Sequence, residues 1–153
     1  MSAAPQPQDP AEWPKTMDFV RPTDEEMAKQ DIPALFGVNA GTTSSRGIAM
    51  LLTMFEPGGN SNCHMHLDSE TALYVVSGSA HFFFGEHLER DQIVNAGDFV
   101  YVPPFCPHKG FNRSRKERVV FVTARTDALE QERVVVTPEA DDGTAGSNID
   151  YID

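Results

Sequence analysis

The chain has 153 residues, 40% hydrophobic and 23% charged, the length and balance of one soluble domain that fills its own core. With 23 acidic residues against 12 basic ones its net charge is −11, which disfavours nucleic acid and anionic membrane as partners. No apolar run approaches the ~18 residues of a membrane-spanning helix.

The opening, "MSAAPQPQDPAEWPK", has neither an early basic cluster nor a following apolar block, so it does not read as a secretory signal. A cytoplasmic location is the expectation. There the two cysteines, Cys63 and Cys106, too few for a disulfide framework, would stay reduced. Residues 1–45 are read as an N-terminal arm, disordered or loosely docked over the first fifteen positions because Ala, Pro, Gln and Asp dominate them. Thr23-Asp24-Glu25-Glu26 has the form of a capping box after Pro22, and predicts a short helix over 23–30 that ends before Pro33. From 46 to 125 the texture changes. Short apolar runs such as "IAMLLTMF", "TALYVVS", "AHFFF", "DFVYV" and "RVVFVTA" alternate with "EPGG", "SGS", "NAGD" and "PPFCP", the pattern of an all-β sandwich or barrel. The basic cluster "RSRKER" at 113–118 reads as a solvated hairpin loop. Residues 126–153 supply a closing strand, "RVVVT", and an acidic tail, "EADDGTAGSNIDYID", expected to be mobile.

Two stretches carry chemistry. In "HMHLDSE" a strand would turn His64 and His66 to one face and Cys63, Met65 and Leu67 to the other, so two imidazoles would lie side by side. Each can offer a ring nitrogen to a divalent metal, although alternating polar residues also mark ordinary surface strands. Glu70 follows after a tight connection that could return its carboxylate to the histidines, or it belongs to a plain polar turn with Asp68 and Ser69. In "GDFVYVPPFCPH" an apolar strand enters a corner stiffened by Pro103, Pro104 and Pro107, which then presents His108 as a third ligand.

These two stretches together resemble the motif pair of the cupin family. Gly58 stands five intervening residues before His64, with His66, Glu70 and Gly78 following; Gly97 stands five before Pro103, with His108 and Asn112 at the family spacing. The resemblance covers roughly residues 46–125. It implies a double-stranded β-helix, or jelly-roll, barrel with one divalent transition metal (Fe, Mn, Ni, Co or Zn) held by His64, His66, Glu70 and His108. Two departures stand out. Phe105 occupies the place of the second motif's glycine, in a turn where a side chain at positive φ is strained. Seven residues, not six, separate Glu70 from Gly78, so counting back from Gly78 puts Thr71 in the glutamate's position. A one-residue slip turns a strand side chain to the opposite face, and a β-bulge within "TALYVVS" would restore the match. Glu70 is the expected ligand, or, if it does not reach the metal, a candidate general base.

Around this core His81, Tyr74, Phe105 and Asn112 are candidate pocket or second-layer residues, with His81 also readable as a plain surface or core histidine. His87 is expected in an exposed loop and Cys106 as a small buried residue near His108. Phenylalanines 82, 83, 84, 99 and 121 exceed what the exterior of a small barrel needs, so most are core and some line an apolar pocket. The resemblance implies an enzyme acting on a small oxygenated compound, with a dioxygenase-type oxidoreductase leading. An isomerase, lyase or cyclase is the alternative, as is a non-catalytic small-molecule-binding barrel. It also implies pairing of two copies, with the segment 31–47 adding to a partner's sheet.

Overall fold

Eleven β-strands build the fold among the described residues, which are 9–129, 131 and 133–153 of this computed structural model. They are β1 (Glu26–Met27), β2 (Pro33–Val38), β3 (Ala49–Phe55), β4 (His64–His66), β5 (Thr71–Ser77), β6 (Ser79–Phe84), β7 (Arg90–Asn95), β8 (Phe99–Val102), β9 (His108–Asn112), β10 (Val119–Arg125) and β11 (Val134–Val136). One sheet runs β1-β2-β3-β10-β5-β8 and the other β11-β4-β9-β6-β7, with antiparallel neighbours throughout. This is the all-β jelly roll expected from the sequence.

The inner faces meet over a core made by alternation along each strand. Along β10, Val119, Phe121, Thr123 and Arg125 are buried while the residues between them are not. Phe121 packs edge-on against Phe55 at 5.1 Å between centroids, and Phe82 lies 5.8 Å from Phe121 on the other sheet's side. Gly110 on β9 passes directly over these rings: a Cβ there would come within 2.5 Å of Phe55 and 2.8 Å of Phe82. Within the first sheet, β5 bulges near its end, where Ser77 pairs Val120 and Val75 pairs Phe121, leaving Val76 unmatched. Gly78, at φ +90°, then turns the chain into the second sheet.

Three local expectations are corrected. The first eight residues of the arm lie outside the described residues. The helix over 23–30 does not form; Glu26 and Met27 pair with Ala34 and Pro33 instead. Thr23 bonds the Asp24 side chain rather than capping a helix, and burying Ala28, Gln30 and Ile32 outweighs the local helix signal. Within the segment 31–47, β2 lies between this chain's own β1 and β3. The "RSRKER" stretch joins β9 and β10 across two sheets rather than closing a hairpin, with Arg113 paired to Asp150 and Arg118 to Glu25 and Glu56. The acidic tail is docked: Lys109 binds Asp141, the Ile152 N–H donates to the Arg113 carbonyl, and Asp153 accepts from the Ser114 hydroxyl.

Candidate metal centre

β4 lies between β11 and β9, and its pairing brings His64 directly opposite His108. His64 and His66 are both buried with Met65 partly exposed between them, so the alternation expected of "HMH" holds. The three rings converge, with centroids 4.2 Å apart for His64–His108, 5.1 Å for His64–His66 and 5.5 Å for His66–His108. One nitrogen from each falls within 4.8 Å of the other two.

The backbone orients two of the rings. His64 Nδ1 is 2.8 Å from the Asn62 carbonyl and His108 Nδ1 is 2.9 Å from the Cys106 carbonyl. A carbonyl only accepts, so Nδ1 carries the proton in both rings and Nε2 keeps its lone pair for the centre. The buried His66 Nε2 has no hydrogen-bond partner, an arrangement that costs free energy unless something occupies the space it faces. The stiff corner before His108 is tied to the same strand, because the Phe105 N–H donates to the His66 carbonyl at 2.9 Å.

Electrostatics keep the rings neutral. Burial pulls His66 down to about 2, with the Arg125 charge and then His108 adding to it. Burial likewise brings His108 to about 4, against the raising effect of its bond to Cys106 and with the help of Arg125. His64 is held well below its ordinary value by burial, by His108 and, to a smaller degree, by His66 and Arg125. Neutral imidazoles are the form a cation needs, and three all-nitrogen donors suit a divalent transition metal. The residues present therefore fit the metal that the sequence resemblance implies.

Glu70 does not join them. Its side chain is exposed and its Oε1 accepts a 2.8 Å hydrogen bond from the Tyr101 hydroxyl. The inward position is Thr71, paired with Val102 and Arg125, and its hydroxyl accepts from Arg125 Nε at 3.2 Å. The bulge proposed for "TALYVVS" exists at Val76, yet pairing at the start of β5 fixes the phase that turns Glu70 outward. Three further candidates lie elsewhere. His81 is on the outer face of its sheet, stacked on Phe83 with Nε2 2.7 Å from Asp91. Tyr74 is on the outer face against Phe99. Asn112 is buried but structural: its Nδ2 donates to the carbonyls of Phe55, Glu56 and Glu117. Phe105 adopts the motif glycine's conformation, φ +61°, and points its ring to solvent. His87 is exposed, as expected.

A cavity of about 620 Å³ opens between β7 and β8 and reaches the centre at His108. Phe82, Phe84, Val94, Val100 and Val102 line it, Cys106 flanks His108, and Glu86, Glu89, Arg90 and Gln92 are exposed around it. Arg90, Gln92 and Arg125 are absent from the residues expected from sequence. For Arg125 the signal was present, since it is in phase with Phe121 and Thr123. Burial pulls its guanidinium down to about 10, which leaves it cationic at neutral pH.

A sequence model of one protein family, described as Cupin, matches residues 35–140. Solved structures with this architecture include the formate complex of Lactobacillus farciminis oxalate decarboxylase (18% identical, TM-score 0.63, 76% of this chain and 34% of that one). They also include oxalate decarboxylase from Bacillus subtilis (25% identical, TM-score 0.58, covering 71% and 28%). A conserved protein with a double-stranded β-helix domain from Klebsiella pneumoniae matches over most of both chains (18% identical, TM-score 0.58, covering 78% and 90%). This chain thus spans about a third of the length of the oxalate decarboxylases it resembles. No curated protein sequence matches it.

Proposed function

The chain belongs to the cupin family, and from that premise we propose that it is a metal-dependent enzyme acting on a small oxygenated organic compound. His64, His66 and His108 would hold one divalent transition metal (Fe, Mn, Ni, Co or Zn). The observation that carries this reading is the convergence of three buried, neutral imidazoles, two with their tautomers fixed by carbonyls and one with an orphaned nitrogen. When bound, such an ion supplies Lewis-acid activation of a carbonyl or hydroxyl and, as iron or manganese, redox chemistry with O₂.

The chain's own residues do the rest. The Asn62 and Cys106 carbonyls hold the rings in register. The apolar walls from β6 and β8 admit a substrate to His108 while limiting water. Glu70 bonds the exposed Tyr101 hydroxyl on the outer face of the sheet, away from the three histidines, which leaves it neither ligand nor base. A dioxygenase-type oxidoreductase is the leading form of the activity. The likeness to oxalate decarboxylases supports a second reading, a lyase cleaving a carbon–carbon bond of a small acid. We further infer a homodimer; light scattering should then give twice the 16.9 kDa chain mass.

The test is turnover by iron- or manganese-loaded protein with a panel of small acids, enols and phenols. O₂ uptake that disappears in His108→Ala supports the oxidoreductase. Product formation without O₂ uptake moves the assignment to the lyase or an isomerase. A loaded protein that binds ligands and converts none of them is a binding barrel, and the enzyme reading is then wrong.

A further inference from the structure

The centre and the cavity together say more about the ligand than the fold does. Three neutral nitrogen donors leave a divalent ion's charge of two uncompensated. Among the described residues no carboxylate joins the histidine group. Glu70 faces away, bonded to Tyr101, and the inward side chain at that register is the Thr71 hydroxyl. The open coordination position therefore favours an anionic oxygen from the ligand, which would offset that charge.

The cavity sets the rest of that ligand. Its approach to His108 is walled by Phe82 and Phe84 from β6, Val94 from β7, and Val100, Val102 and Pro103 from the opposite edge. These walls are apolar on both sides, and a volume of about 620 Å³ falls within the range of small-molecule pockets. Among the described lining residues the one cation is Arg90, which is exposed and lies over the Phe84 ring at 5.5 Å. A second charge carried deep into the cavity would meet Phe and Val side chains and lose its hydration without a partner.

We propose that this site selects a monoanionic acid with a flat apolar body of at least benzene-ring size, its carboxylate at the three-histidine centre and its body between Phe84 and Val100. The inference rests on the metal reading above and narrows it to a substrate class.

Cobalt(II)-loaded full-length protein provides the test, with acetate and benzoate as probes. The two carboxylates have similar basicity, so any difference between them reports the ring. Both should change the visible absorption of the bound cobalt, and benzoate should bind at least tenfold more tightly than acetate. Phe84→Ala should bring benzoate close to acetate while leaving acetate unchanged. Val100→Phe, which fills the cavity from the other wall, should do the same and guards against a folding defect in the first variant. Equal binding of the two acids to cobalt-loaded protein would overturn the proposal and leave the metal site intact. Benzoate binding that leaves the cobalt spectrum unchanged and is lost in Arg90→Ala would overturn it too, placing the carboxylate at the mouth. Failure to bind cobalt at all would remove the metal reading and this inference with it.

Discussion

Phe105, 56% exposed, holds φ +61°, a conformation in which a Cβ is strained and a glycine is not. Its N–H bond to His66 keeps the corner in place despite that strain. Phe105→Gly should therefore be neutral to stabilising by up to about 1 kcal/mol, with the metal content unchanged; a clear fall in the thermal midpoint would show that the ring itself matters. The histidines give a second prediction. His66 and His108 have folded pKa values of about 2 and about 4, below the ordinary 6.5, so the unfolded chain binds protons that the metal-free fold refuses. Stability from these groups is complete above pH 6.5 and is lost as pH falls toward 4, at on the order of 1 kcal/mol per pH unit for each ring. Thermal unfolding of metal-free protein should show a midpoint that drops from pH 7 to pH 5. A His66→Asn, His108→Asn double variant should show a shallower drop; equal slopes would mean the rings are not buried and neutral as described.

At the scale of elements, β4 and the corner before β9 were legible because polar histidines stand out against apolar neighbours and prolines fix their own φ. The phase of β5 was not. "TALYVVS" is apolar on both faces, so period-two reading cannot say which way Glu70 points, and the pairings of Thr71 with Val102 and Arg125 decide it. The same limit applies to β1, where a local capping signal gave way to pairing with β2, and to the tail, whose acidic side chains find Lys109, Arg113 and the 114–115 turn only in three dimensions. On β9, Gly110 was unremarkable in sequence, yet it is where the strand crosses the Phe55–Phe82 pair. Gly110→Ala overpacks that contact and should cost about 1–3 kcal/mol by denaturant unfolding, whereas Gly47→Ala, with open space around its Cβ, should cost far less. Similar losses at the two sites would contradict the packing described.

At the scale of the molecule, the pairing of β4 with β9 within one sheet brings His108 beside His64 and His66, which lie more than forty positions earlier in the chain. Among the described residues no helix is long and apolar enough to cross a membrane. A metal that binds the assembled centre and not the unfolded chain stabilises the fold by about 2.7 kcal/mol at a hundred times its Kd. For a chain of this size that is a rise in thermal midpoint of roughly 5–10 °C, and calorimetry with and without the ion would read it. Three histidines, without Glu70, are proposed to make the metal site, and that assignment has a direct test. The measurement is the metal content per chain of the parent protein, Glu70→Ala and His108→Ala, all purified without added metal and then offered iron, manganese, nickel, cobalt or zinc. About one equivalent of metal is expected in the first two and a loss in the third. Loss of metal in Glu70→Ala, or an empty parent protein under every condition, would contradict it.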